Sequence, residues 1–310
     1  MDIFFRPEPV AWLQNVLGPG WEDLARTVGV LGSSWAIPLT VGLALWTGGR
    51  RVAYGLLVLA VVEAVARQAL ATTLAVERPS GSSVRVYDEI SHSSSFPSGH
   101  VSTAAALFAY LALVTPFSLA AAALLVVALS LSRLYLGVHY VDDVIGAAVL
   151  GGGLAWAWLW AWPRLRRALR GHERTVGGAA AALTLVAAAA AAAFLVGDEP
   201  MQWNGAAVAA ALAVAVPVEW LWVRFEPRAG DGGRRVALGL AGLLPLLVAE
   251  RVLGGEEALA LGAALMGAGT LWAVVGAPWL FTRLGWSGTD RAPAPPLPGR
   301  AEQDGEGTEV

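Results

Sequence analysis

Long apolar windows, most of them separated by short turns, constrain this chain more than anything else in it. Windows of predominantly apolar residues fall near 29–48, 52–75, 100–115, 117–137, 139–162, 178–196, 205–224, 235–253 and 258–282. A helix of about 20 such residues matches the ~30 Å hydrocarbon thickness of a bilayer. Backbone amides in lipid must find partners within their own segment, so windows of this kind are read as helices. The expected fold class is therefore all-α: a polytopic membrane helical bundle of about nine transmembrane helices, integral to a cell membrane. Composition agrees, because 56% of the 310 residues are hydrophobic and only 15% are charged. The third and fourth windows are short and meet at Thr115-Pro116. Before the first window, Val10, Leu13, Val16, Leu17, Trp21 and Leu24 recur at helical spacing, which predicts an N-terminal interfacial helix over 9–27.

Arginine placement gives an orientation. Arg50 and Arg51 follow the first span, Arg164, Arg166, Arg167, Arg170 and Arg174 the fifth, and Arg224, Arg228, Arg234 and Arg235 the seventh. These loops are expected to be cytoplasmic. The opposite loops, Asp198-Glu199, Glu250 through Glu257 and the segment 77–99, are acidic or neutral and face outward. Trp156, Trp158, Trp160 and Trp162 precede the five-arginine loop and read as anchors at the inner headgroups. Acidic Asp2 and Glu8 before the first window argue against a cleaved signal peptide. A net charge of -3 gives no footing for a nucleic-acid partner. Every basic residue is Arg and Cys is absent, so Schiff-base, thiol and disulfide chemistry are excluded.

Residues 1–165 hold every chemically promising group and form the expected core. Residues 166–284 add four plain apolar spans, which pack on the core, form a homo-oligomer surface or shape lateral lipid entry. The Pro-, Gly- and acid-rich tail 285–310 is expected to be disordered.

Three polar blocks stand between the apolar runs: Arg78-Pro79, then Pro97-Ser98-Gly99-His100, then Ser132-Arg133 with His139 and Asp143. Asp143 lies four residues after His139, on one helical face, where a carboxylate can orient an imidazole and leave its other nitrogen free to attack phosphorus. Arg133, one short turn away through Leu136-Gly137, presents a guanidinium fork suited to phosphoryl oxygens. Ser98 and Gly99 precede the third span, where unpaired amides make an anion site and Gly99 allows close approach. His100 is then placed to protonate a leaving group and activate water. Blander readings exist for each block alone: snorkelling and capping for Arg133 and His139, an ordinary capped helix start for 97–100, and a solvated connector in place of a lid for 80–96. Asp143 weighs against them, since a carboxylate a turn inside the membrane surface is costly unless paired or used.

Taken together, the blocks resemble the type 2 phosphatidic acid phosphatase and vanadium haloperoxidase superfamily, in its membrane lipid phosphatase branch. Its pattern is a Lys-to-Arg-Pro block, then Pro-Ser-Gly-His, then Ser-Arg, five residues, His, three residues, Asp. The resemblance spans roughly 67–143. It implies His139 as nucleophile forming a phosphohistidine, Asp143 as its partner, His100 as general acid and base, and Arg78, Ser98, Gly99 and Arg133 as phosphate ligands. It also implies a reaction needing no metal or cofactor. One position departs: where the pattern has Lys, seven residues before Arg78, this chain has Ala71. Arg67, one turn earlier, either substitutes for it or pairs with Glu63.

The implied substrate is a membrane lipid phosphate handled on the extracytoplasmic face, with polyprenyl diphosphate, phosphatidic acid and phosphatidylglycerol phosphate as the candidates. Two rival readings are a phosphoryl transferase using the same site and a non-catalytic lipid-binding or transport protein.

Overall fold

The computed structural model describes residues 4–88, 94–168, 200–254 and 258–288. The expected span at 178–196, the acidic pair Asp198-Glu199, Arg170 and Arg174, and the tail beyond 288 lie outside the described residues.

Within them the chain is helical. The helices are α1 (Glu8–Leu17), α2 (Glu22–Gly29), α3 (Ala36–Gly48), α4 (Arg50–Leu74), α5 (Gly99–Val114), α6 (Leu119–Tyr135), α7 (Val141–Ala168), α8 (Pro200–Val218), α9 (Gly232–Leu253), α10 (Leu259–Leu271) and α11 (Ala277–Arg283). A π-helical turn extends α8 through Glu219–Val223, and another, Trp272–Gly276, joins α10 to α11.

The count of nine spans is not confirmed, and one of the nine windows, 178–196, lies outside the described residues. Among the described residues, five helical stretches are long and apolar enough to cross: Arg50–Leu74, Val141–Arg164, Trp203–Val223, Gly232–Leu253 and Leu259–Arg283. A sixth is reached only if Glu22–Gly32 and Ala36–Gly48, bent by 55°, count as one. The window at 29–48 breaks because Ser33 takes an extended conformation after a 3-10 turn at Val30–Gly32. The windows at 100–115 and 117–137 form helices of 16 and 17 residues. At 1.5 Å per residue each is about 25 Å long, short of the hydrocarbon core.

The N-terminal segment differs too. One interfacial helix was expected, but Gly18 and Gly20, both at positive φ, part α1 from α2. Val10 is buried, while Val16, Leu17, Trp21 and Leu24 are exposed, as headgroup contact requires.

Two larger apolar cores and a small third one around Tyr135 hold the described part of the bundle. The largest joins α3, α4, α5 and α7 to α8–α11 through Trp46, Leu56, Tyr110, Leu243, Met266 and Phe281, so the C-terminal helices share the core of the N-terminal ones. Trp46 Nε1 donates to Ala273 O at 2.9 Å, and Arg235 Nε donates to Trp46 O at 2.7 Å. The packed chain runs past the boundary expected at 285, since Trp286 N donates to Phe281 O at 2.9 Å. The second core, under α1, joins α5, α6 and α7 through Val10, Phe108, Leu129 and Val144. Leu124, Val127, Ile145, Val149, Val248 and Val252 face outward, the distribution expected of a lipid-facing belt. Of the tryptophans on α7, Trp156 and Trp160 point out with Arg164 over Trp160, whereas Trp158 turns inward against Gly55.

Candidate active site

Small residues bring the three polar blocks together. On α7, Gly151 lies so close to Ser102 O and Ala106 N of α5 that any side chain there would collide with them. This contact sets the start of α5 beside the start of α7, and Ser98 N donates to Asp143 O at 3.3 Å. Gly137, at φ 72°, turns the chain between α6 and α7, and Arg85 O fills the space its side chain would need. Gln14 of α1 fixes the crossing loop: its amide donates to Arg85 O at 2.6 Å and Tyr135 O at 2.8 Å and accepts from Arg85 N at 3.0 Å. On the far side, Gly32 presses on the backbone of His100, with 2.5 Å between an ideal Cβ and His100 O.

His139 sits in the turn before α7 and is 3% exposed. Its Nδ1 lies 3.3 Å from Asp143 Oδ2, and Arg78 Nη1 lies 3.4 Å from its Nε2. A guanidinium can only donate, so the arrangement assigns the ring proton to Nδ1 and leaves the Nε2 lone pair facing the arginines. Burial, the largest influence, pushes the His139 pKa below the ordinary imidazole range, against the pull of Asp143, and the ring is neutral near pH 7. Asp143 is fully buried, and its Oδ2 also accepts from Tyr140 N at 2.7 Å and from Ser95 Oγ.

The arginines surround this pair. Arg78 Nη1 donates to Val138 O at 3.0 Å and Nη2 to Ser94 O at 3.4 Å, so its fork spans the turn that carries His139. Arg133 is 5% exposed beneath α2, where Gly29 leaves room for its guanidinium; it contacts Asp88 Oδ2 at 3.6 Å. His100 feels the charges of Arg133, Arg78 and Arg67 together and lies near His139. Arg67 lies 3.3 Å from Glu63, the pairing expected from their spacing, and it also lies against Gly99. Every residue singled out in the sequence thus belongs to one cluster.

Five buried side-chain polar atoms among the described residues lack a hydrogen-bond partner: Arg67 Nε, Ser98 Oγ, Arg133 Nε, Asp143 Oδ1 and Trp158 Nε1. Four belong to this cluster, although Arg67 Nε does have its ionic contact with Glu63, too poorly aligned to count as a hydrogen bond. Buried polar atoms are normally paired, so such a concentration marks a site built for a polar ligand. No group of three His, Asp or Glu side chains with metal-binding geometry occurs among the described residues.

Several contributors were missed in the sequence. Ser95 has two serine neighbours and no distinguishing spacing. Asp88 approaches Arg133 from a loop, and Gln14, Gly29 and Gly32 act from helices that carry none of the motifs. His92 and Ser93 of the suggested lid lie outside the described residues.

The fold and site together describe an integral membrane protein with a cluster of buried arginine and histidine side chains at one end of its bundle. Residues 51–167 match the model of the PAP2 superfamily. A solved structure described as the first transmembrane PAP2 type phosphatidylglycerolphosphate phosphatase from Bacillus subtilis is 24% identical; the match covers 51% of this chain and 85% of that one, with a TM-score of 0.45. No curated protein matches the chain.

Proposed function

We propose that this chain is a membrane lipid phosphatase that hydrolyses a phosphate or diphosphate ester through a phosphohistidine at His139. The observation that carries this reading is the His139 Nε2 lone pair facing Arg78 within a cluster of unpartnered buried donors. Arg78, Arg133, the Ser98 hydroxyl and the amides opening α5 hold the phosphoryl oxygens. Nε2 attacks phosphorus and the bond to the leaving oxygen breaks, while the Nδ1 proton stays on the ring and donates to Asp143, whose charge stabilises the ring as it becomes cationic. His100 gives a proton to the leaving oxygen, then takes one from the water that attacks the phosphohistidine, releasing inorganic phosphate and restoring both histidines.

The substrate class follows from the surroundings. A site at one end of a lipid-facing bundle suits a head group that protrudes while its tail stays in the bilayer. The candidates are polyprenyl diphosphate, phosphatidic acid and phosphatidylglycerol phosphate. Arg50, paired with Glu226, and Arg235, bound to Trp46 O, cluster at the opposite end, which supports an extracytoplasmic site under the positive-inside rule.

The test is phosphate release from these three lipids by purified protein in detergent with EDTA, alongside His139→Ala, with acid- and base-quenched samples assayed for an acid-labile phosphoenzyme. Metal-independent release and a base-stable phosphoenzyme, both lost in the variant, support the proposal. Equal release by wild type and variant overturns it, and release that needs an added acceptor identifies a transferase.

A further inference from the structure

We infer that Arg67 is a third guanidinium ligand of the phosphoryl group, held in place by Glu63 as a positioning residue; the inference rests on the phosphatase reading above. Glu63 and Arg67 stand four residues apart on one face of α4. Glu63 is 1% exposed, and its carboxylate reaches across to α5, accepting from Ser102 Oγ and from Thr103 Oγ1 at 3.1 Å. Both hydroxyls follow closely on His100, so the carboxylate is fixed to the helix that begins the anion site.

A guanidinium has distinct donor edges, and here they face different ways. The Nε edge of Arg67 lies 3.3 Å from Glu63 Oε1. On its other side Nη1 and Cζ stand 3.5 and 3.7 Å from where a Cβ on Gly99 would be, so the group lies against the bare backbone opening α5. Its charge reaches His100 along with those of Arg78 and Arg133. A buried carboxylate is costly without a cation, and an arginine loses entropy when it orders around an anion. Pairing the two deals with both costs before substrate arrives. It also leaves the outer edge of Arg67 directed at the same phosphoryl oxygens as Ser98 and the α5 amides. Ala71 is one turn further along the same face of α4, so a cation placed there would approach from the same side.

The test measures binding of radiolabelled inorganic phosphate to the full chain in detergent, together with kcat and KM for lipid phosphate hydrolysis. Loss of a charge-assisted contact in Arg67→Gln is expected to weaken phosphate binding about tenfold or more and to raise KM. Adding Ala71→Lys to Arg67→Gln should restore most of that loss, which repair of a merely structural defect would not do. Glu63→Gln, which releases Arg67 from its tether, should weaken binding by about three- to tenfold. Arg67→Lys keeps the charge without the fork and should fall between wild type and Arg67→Gln; it decides the matter if Arg67→Gln does not fold. Phosphate affinity within twofold of wild type in Arg67→Lys and Arg67→Gln, or no recovery with Ala71→Lys, overturns the ligand role. Unchanged affinity in Glu63→Gln overturns the positioning role. Wild-type protein that neither binds nor releases phosphate takes down the phosphatase reading itself, whereas active wild type with indifferent variants removes only this inference.

Discussion

Asp143→Asn should separate catalysis from stability. The carboxylate is fully buried, and Oδ2 takes donors from Tyr140 N at 2.7 Å, His139 Nδ1 at 3.3 Å and Ser95 Oγ, while Oδ1 has no partner. Tyr140 N and Ser95 Oγ require the amide oxygen at the Oδ2 position, so the variant keeps the orientation of the ring and loses only the charge. A full positive charge on the ring, 3.3 Å from a carboxylate, interacts with it by about 5 kcal/mol at an effective dielectric of about 20. With roughly half that charge developed when phosphorus is attacked, the transition state loses about 2–3 kcal/mol, or about 30- to 150-fold in kcat. Folding should not suffer in proportion, because the substitution keeps the hydrogen bonds at Oδ2 and removes a buried carboxylate that no cation among the described residues pairs. The assay is steady-state phosphate release in detergent with thermal unfolding of the same preparation, and the expected result is a lower kcat at an unchanged or higher Tm. A kcat within threefold of wild type would refute the electrostatic role. A kcat loss matched by a collapse in Tm would show that Asp143 acts on the fold instead.

Gly29→Ala places a methyl group against Arg133 Nη2 and should push that guanidinium away from its seat. Since Arg133 is a phosphate ligand in this reading, KM should rise by about tenfold with little change in Tm, measured by the same assay and melt. The depressed pKa of His139 sets the acid limb: the nucleophile stays neutral below the ordinary imidazole range, so kcat/KM should begin to fall only at a lower pH than a solvent-exposed histidine would give. The unfolded chain takes up this proton first, so stability should decline as pH falls through the ordinary imidazole range and level off below the folded pKa, as pH-dependent melts would show. At the other end of the bundle, Tyr54→Phe removes the phenol that donates to buried Glu219, leaving it with Phe225 N. Tm should fall, by about 1–3 kcal/mol of stability, with kcat unchanged.

What could be read from the sequence is what spacing encodes. His139 and Asp143 meet because they are four residues apart across the turn that opens α7, and Ser98-Gly99-His100 opens a helix because of the apolar run behind it. The contributions of Ser95, Asp88 and Gln14 depend on contacts across long stretches of chain, and a polar residue in a loop carries no periodic signal of such a partner. Arg67 illustrates the difference. Its pairing with Glu63 follows from spacing, but its simultaneous seat against Gly99 depends on how α4 crosses α5, which no local pattern records.

The lengths of three windows were misread for a related reason, and this bears on function. Hydropathy reports which residues tolerate lipid, not how far a helix reaches. The windows at 29–48, 100–115 and 117–137 belong to the helices that surround the site, and all three fall short or bend there. At the site end, α5 begins only at Gly99 and α6 ends at Tyr135, and the space beyond them holds the 76–88 and 94–98 segments with α1 and α2 packed around them. A bundle whose catalytic helices stop short can sink arginines and histidines below the level of its full-length spans while their backbone neighbours remain paired. Full-length helices at these positions would carry the same polar residues outward, away from the lipid tail that the substrate leaves in the bilayer. In the phosphatase reading, the short helices follow from placing phosphate chemistry at a lipid surface, and lengthening α5 by one turn at its start would separate His100 from His139 by roughly the 5.4 Å rise of that turn.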